Sequence, residues 1–403
     1  MNPGTLSLRL AVRSPACRLL LPLLLAAAGP ATAQAPAPAP SVLAGELLSA
    51  DGGSTASVRL TLHAAAQVLV VTADSTGRFS LPLPDSAAGL WPDDTLEVSV
   101  AVDEATGAAA RGAYLPARVR LARSELDEPL RLVLIPREWR IVAGSFAGAR
   151  VPIDLRRAFA LDCRGCPSFY RRPLAAAPSA AARRTEEPSP HGWPGDVFPL
   201  RVAFDREYSL GRIGARDSLG FWRVTDALEA ALGLDLFRPV SFAEAMDEET
   251  PDNALLVWVD PALRAAGLGT LFSYGGRVVY GSVRLQRMAM VEEWGGAVLM
   301  HELLHTLGFG HTCGWRSLMA EAGCGSRAEA LTAADVAYAQ LGLRLRALQQ
   351  RQRAHGLAAA LRALEAPAAT TAPLAGAATP PPAPPPPRPG SAPAAPSAPG
   401  PAP

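Results

Sequence analysis

Between residues 42 and 136 apolar and polar positions alternate with the two-residue period of strands buried on one face. Val58, Leu60 and Leu62 alternate with Arg59 and Thr61. Phe79, Leu81 and Leu83 repeat the pattern, as do Leu96, Val98 and Val100, and then Leu130, Leu132 and Leu134. Val68–Val71 is a short apolar run, and Asp74-Ser75-Thr76-Gly77 reads as a turn. Short strands punctuated by Gly, Pro and Asp predict an all-β sandwich over 42–136.

From Trp193 onward the pattern changes. Val197–Phe204 predicts a strand. Ser218 is placed to cap a helix that carries Phe221, Val224, Leu228 and Ala231 on one face and ends at Gly233. Leu255–Val259 predicts a compact strand, and Thr270–Tyr274 and Arg277–Leu285 flank Gly275-Gly276 as a hairpin. A second helix is expected from about Glu292 to Leu307. A third begins near Thr332, with Thr332 and Asp335 at capping-box spacing. This order predicts an α+β domain over 195–345 and a helical extension over 346–365. Residues 137–194 show no clear period. They read as a connector, partly disordered across the Ala-, Ser- and Pro-rich stretch Ala175–Pro190.

The two ends predict export and a tail. Arg9, Arg13 and Arg18 precede the apolar run Leu19–Ala28, and Ala31-Thr32-Ala33 offers a cleavage site, so 1–33 reads as a signal peptide. The run is too short to span a bilayer and Pro22 interrupts it. No later segment is long and apolar enough to cross a membrane, so the mature chain is expected in the periplasm or outside the cell. Residues 34–41 form an Ala/Pro linker. Residues 366–403, with the run Pro384–Pro387, predict a disordered tail. The net charge is +1, carried entirely by arginine on the cationic side, which argues against nucleic acid or an anionic membrane as partner. Cleavage leaves Cys163, Cys166, Cys313 and Cys324, which in an exported chain are disulfide candidates with three possible connectivities.

The chemistry concentrates in residues 301–311, HELLHTLGFGH. His301 and His305 are four apart and project from one helix face. Gly308 can end the helix in a left-handed conformation, so the chain turns back and His311 can join them. Three neutral imidazoles leave a fourth position open, as a catalytic zinc site requires. Glu302 sits beside the metal, where it can take a proton from the activated water. Val298, Leu299, Leu303, Leu304 and Leu307 are the apolar wall of that helix.

The extended pattern HExxHxxGxxH resembles the metzincin clan of zinc metalloproteases. The chain continues Ser317-Leu318-Met319, and Met319 lies eight residues past His311, a matrixin-like spacing for the clan's Met-turn. The resemblance spans roughly 195–345. It implies a secreted metalloendopeptidase with one catalytic Zn2+, ligated by His301, His305 and His311, with Glu302 as general base and a protein or peptide as substrate. It further implies that Thr270, Leu271, Phe272, Ser273 and Tyr274 form the edge strand that pairs with extended substrate. Astacin-like and serralysin-like members carry Tyr two residues after the Met; here Glu321 stands there. Separately, Asp74-Ser75-Thr76-Gly77-Arg78-Phe79-Ser80 resembles the turn of carboxypeptidase-regulatory-like, transthyretin-like sandwiches.

Pairing Cys313 with Cys324 would close a loop around Met319, and Cys163 with Cys166 would make a tight local loop. A free Cys166 thiolate could instead block the zinc. The alternative to an enzyme is a non-catalytic zinc-containing secreted protein that binds or adheres. Calcium requirement, oligomeric state and substrate preference are left open by the sequence.

Overall fold

The computed structural model describes residues 42–64, 67–83, 95–101, 113–122, 125, 128–171, 192–205, 213–246, 253–274, 277–291, 293–324, 326–352 and 355–365. The expected signal peptide, linker, tail, Ala175–Pro190 stretch and Gly275-Gly276 turn lie outside them. The fold is mixed α/β with several sheets and few helices.

Alternation produces the first seven strands, β1 (Val42–Ser49), β2 (Arg59–Ala64), β3 (Gln67–Thr72), β4 (Arg78–Pro82), β5 (Thr95–Ala101), β6 (Ala117–Ala122) and β7 (Leu130–Leu134). They form two sheets ordered β4-β1-β7 and β3-β2-β5-β6. Leu47, Phe79 and Leu132 from the first sheet meet Leu60, Val98 and Val119 from the second in one buried cluster. The expected turn is present: the Asp74 carboxylate accepts from the backbone N–H of Thr76 at 2.8 Å and of Arg78 at 3.0 Å. Gly77 adopts φ +81°, and a Cβ there would lie 2.2 Å from Thr55 Oγ1.

The stretch read as a connector carries regular structure and core. Strands β8 (Glu138–Arg140) and β9 (Arg150–Pro152) pair antiparallel, and Asp154 caps the short helix α1 (Leu155–Ala158). Trp139, Ile141, Phe169 and Tyr170 belong to the larger of the apolar cores.

That core also holds a five-stranded sheet ordered β11-β10-β12-β14-β13. Strands β10 (Leu200–Phe204), β11 (Phe237–Pro239), β12 (Ala254–Val259) and β14 (Arg277–Leu285) run parallel. Strand β13 (Gly267–Tyr274) pairs antiparallel with β14 and forms the edge. Helix α2 spans Ala215–Leu232 and ends at Gly233 in the left-handed region, φ 66°. Its cap is Gly214 rather than Ser218, because the Asp217 carboxylate takes the Gly214 N–H at 2.7 Å and starts the helix earlier. The short helix α3 (Phe242–Ala245) is capped by Ser241. Helix α4 (Ala297–Thr306) starts later than its pattern predicts. Gly295 and Gly296 take φ 64° and 84°, and a 3-10 turn over Glu293–Gly296 replaces the expected first helical turn.

Helix α5 (Ala333–Gln352) begins with both capping-box bonds, Thr332 N–H to Asp335 at 3.0 Å and Asp335 N–H to Thr332 Oγ1 at 3.2 Å. The chain then returns to the first half. His355 exchanges backbone bonds with Val133 and Arg131 beside β7 at 2.7 and 3.0 Å, and α6 (Leu357–Glu365) contributes Ala359 to the buried cluster of the first two sheets. No helix among the described residues is long and apolar enough to cross a membrane.

Candidate metal centre

Helix α4 is held by its apolar face. Leu299, Leu303, Leu304 and Leu307 are fully buried, which leaves His301, Glu302 and His305 on the remaining face. Gly308, at φ 94°, reverses the chain and brings His311 back to them. The three Nε2 atoms stand 3.1 Å apart in each pairing.

Each Nδ1 faces an oxygen. His301 Nδ1 lies 2.9 Å from the Leu318 carbonyl and His305 Nδ1 lies 2.8 Å from the Phe309 carbonyl. The Glu321 carboxylate contacts His311 Nδ1. These acceptors assign the hydrogens to Nδ1. Three Nε2 atoms then turn their lone pairs toward one point, a donor set that a cation can bridge. A tetrahedral zinc with nitrogen ligands spaces them by about 3.3 Å. The donor set therefore fits a metal ion. Burial holds His301 down to about 4 and His305 down to about 2, so both are neutral near pH 7, the form a ligand needs.

Glu302 is 7 % exposed. Its carboxylate accepts from the Gly269 N–H at 2.6 Å. Burial pushes its pKa up to about 7, against the opposing pull of that bond and of Arg171. Strand β13 approaches very closely here. A Cβ at Gly269 would lie 2.1 Å from the Glu302 carbonyl oxygen, and one at Gly267 would lie 2.6 Å from Glu302 Cγ. Sequence reading singled out neither glycine; a G-x-G at the start of an apolar strand was the available signal.

The turn carrying Met319 is fastened by Asp335, which is fully buried. Its carboxylate accepts from the Ser317 hydroxyl and from the Leu318 N–H, the latter at 3.0 Å. Leu318 in turn offers its carbonyl to His301. Met319 is itself fully buried, and its carbonyl accepts from the Thr312 N–H at 2.8 Å. The Glu321 N–H donates to the Thr312 carbonyl at 3.0 Å, which sets Glu321 beside His311. Asp335 reads from sequence only as a helix cap and Glu321 only as a missing tyrosine.

Disulfides join Cys313 to Cys324 and Cys163 to Cys166. Cys166 therefore has no free thiolate to block a metal, and that reading is corrected. Thr270, Leu271, Phe272, Ser273 and Tyr274 all lie on β13. Phe272 stacks on Tyr280 at 4.3 Å, and Tyr274 is 83 % exposed. Gly267 and Gly269, ahead of those five residues, are where β13 closely approaches Glu302 of α4.

The segment Ser168–Arg171 lies directly on the metal loop. The Gly310 N–H donates to the Phe169 carbonyl at 2.7 Å, and Phe169 stacks on Phe309 at 5.2 Å. The C-terminal end of α4 is held by Trp193 Nε1 on the Thr306 carbonyl and by buried Arg346 on the Leu307 carbonyl, each at 2.7 Å.

A scan against protein-family models and a search of curated proteins both find no match. The geometry of the site carries the functional argument.

Proposed function

We propose that the chain is an exported zinc-dependent metalloendopeptidase of metzincin type. The observation that carries this is the convergence of three Nε2 atoms whose Nδ1 partners are all oxygens. Zinc bound there supplies Lewis acidity, polarising a carbonyl and lowering the pKa of water. His301, His305 and His311 hold it through neutral imidazoles. Glu302 takes the proton of the attacking water and passes it to the leaving nitrogen. A carboxyl raised to about 7 is suited to both transfers near neutral pH. The Gly269 N–H keeps one Glu302 oxygen engaged and so fixes the other in orientation. Strand β13 stands at one end of its sheet among the described residues, where an edge strand would pair with an extended peptide backbone.

The two disulfides support an oxidising compartment, periplasmic or extracellular. The two facing sheets of the first half are compatible with a carboxypeptidase-regulatory-like sandwich as an accessory domain. The test is Glu302→Ala in the full chain. Zinc content by mass spectrometry stays at one ion per chain, while peptide hydrolysis falls by about 10²- to 10⁴-fold. Hydrolysis at the wild-type rate in that variant contradicts the assignment.

A further inference from the structure

Arg346 on α5 is a charge in the protein interior. It is 2 % exposed, and among the described residues no carboxylate pairs with it. The titratable group acting on it is the Tyr170 hydroxyl, which is already committed to the Tyr338 carbonyl at 2.7 Å. Burial lowers the guanidinium pKa to about 10, so the group stays charged near neutral pH. Its Nη1 has no hydrogen-bond partner. A buried cation without a counter-ion is costly, and an apolar side chain of similar length would fill the same space without that cost.

What the guanidinium touches is the end of the metal helix. Nη2 donates to the Leu307 carbonyl at 2.7 Å, and Nε to the Gly342 carbonyl at 3.4 Å. The Leu307 carbonyl stands just past α4, where the helix dipole is negative and no intrahelical donor remains. Trp193 Nε1 takes the Thr306 carbonyl before it. The segment carrying Trp193 lies directly on the guanidinium, since a Cβ at Gly192 would stand 1.3 Å from Nη1. On the far side of Gly308, the Phe309 ring has Arg346 Cζ 5.4 Å from its centroid. Gly342, one helical turn before Arg346, lets that ring reach α5: a Cβ there would lie 3.0 Å from Phe309 Cε1. The Phe309 carbonyl in turn holds His305 Nδ1 at 2.8 Å. One side chain therefore grips the chain on both sides of the left-handed bend that returns His311 to the other two ligands.

We propose that Arg346 is a positioning residue of the metal centre, which fixes the bend at Gly308 and, through the Phe309 carbonyl, the ring of His305. The proposal rests on the metal-binding part of the function proposed above and not on peptide hydrolysis.

The test measures zinc affinity of the full chain by competition with a chelating dye, in wild type, Arg346→Met and Arg346→Lys, with circular dichroism to establish that each is folded. Arg346→Met keeps the length of the side chain and removes its charge and its donors. Its affinity is expected to fall by about 10- to 100-fold. Arg346→Lys keeps the charge and a donor, and is expected to recover part of that loss. A side chain that only fills space gives the opposite order. Affinity within roughly twofold of wild type in folded Arg346→Met overturns the proposal, as does affinity in Arg346→Met equal to or better than in Arg346→Lys. If Arg346→Met does not fold, Arg346→Lys decides alone: a fall of about threefold or more supports the proposal, and a smaller one overturns it. A wild-type chain that binds no zinc removes the metal reading itself. Zinc binding without peptide hydrolysis removes only the protease reading, and the affinities of the variants still decide the role of Arg346.

Discussion

Residues 301–311 and residues 138–171 meet at one site but reach it by different physics. The first segment is local. A helical repeat of four places two histidines one turn apart, and a left-handed glycine brings the third to them. The second is non-local. Trp139 Nε1 donates to Gln340 at 2.7 Å across 201 residues of sequence, and the Tyr170 hydroxyl donates to the Tyr338 carbonyl at 2.7 Å across 168. The metal segment supplies the ligands, and the earlier one supplies part of the wall that fixes them. The lesson is that residues 139–170 share one core with the helices and sheet of the metal centre. Phe169 touches Phe309, Trp315 and Tyr338, so removing the upstream segment strips aromatic packing from beneath the metal loop.

The sharpest break of this comparison is Phe169→Ala. Loss of a fully buried aromatic is expected to lower stability by about 3–5 kcal/mol, read by urea unfolding of the full chain. A change near zero would make the upstream segment dispensable to the core. A smaller effect sharpens the metal side. Glu321→Gln keeps the shape but removes the carboxylate on His311, and zinc affinity is expected to fall by about 10- to 100-fold in competition with a chelating dye. An unchanged affinity would mean that the Leu318 and Phe309 carbonyls alone orient the site.

A third test is a pH dependence of the chelator-treated protein. The unfolded chain protonates His301 and His305 near 6.5, whereas the folded chain resists until about 4 and about 2. Glu302 acts in the opposite sense, holding its proton below about 7 when folded against 4.5 when unfolded. Between 6.5 and 4.5 the unfolded state binds two protons on histidine and the folded state one on Glu302, so stability falls as pH falls. Thermal melting across that window measures the slope. Glu302→Gln should steepen it, because only the histidines then titrate. A rise in stability on acidification would contradict the burial of the two rings.

Much of this was legible in the chain. The spacing of His301, His305, Gly308 and His311 announces the cluster, and the alternation around Leu60, Leu96 and Leu132 announces the first two sheets. Gly233 and the Thr332–Asp335 pair mark real helix boundaries. What stayed hidden has no period. Asp335 caps a helix and clamps the Met319 turn with one carboxylate, and only the second role requires the fold. Gly269 matters through a backbone N–H, which every residue but proline carries, so its type signals only the close approach of β13. Phe169, Tyr170 and Arg171 sit in irregular chain, where no repeat separates core residues from exposed ones. Helix α4 misled at its start because apolar periodicity continued through Gly295 and Gly296, whose positive φ values break the helix.

The central claim is that this three-histidine centre hydrolyses peptide bonds with the help of Glu302. Mass spectrometry of a peptide library incubated with the full chain, with and without a zinc chelator, tests it most directly. Internal cleavage that disappears with chelator and returns on adding zinc is the expected result. Absence of cleavage by zinc-loaded protein, or cleavage indifferent to the chelator, would contradict it.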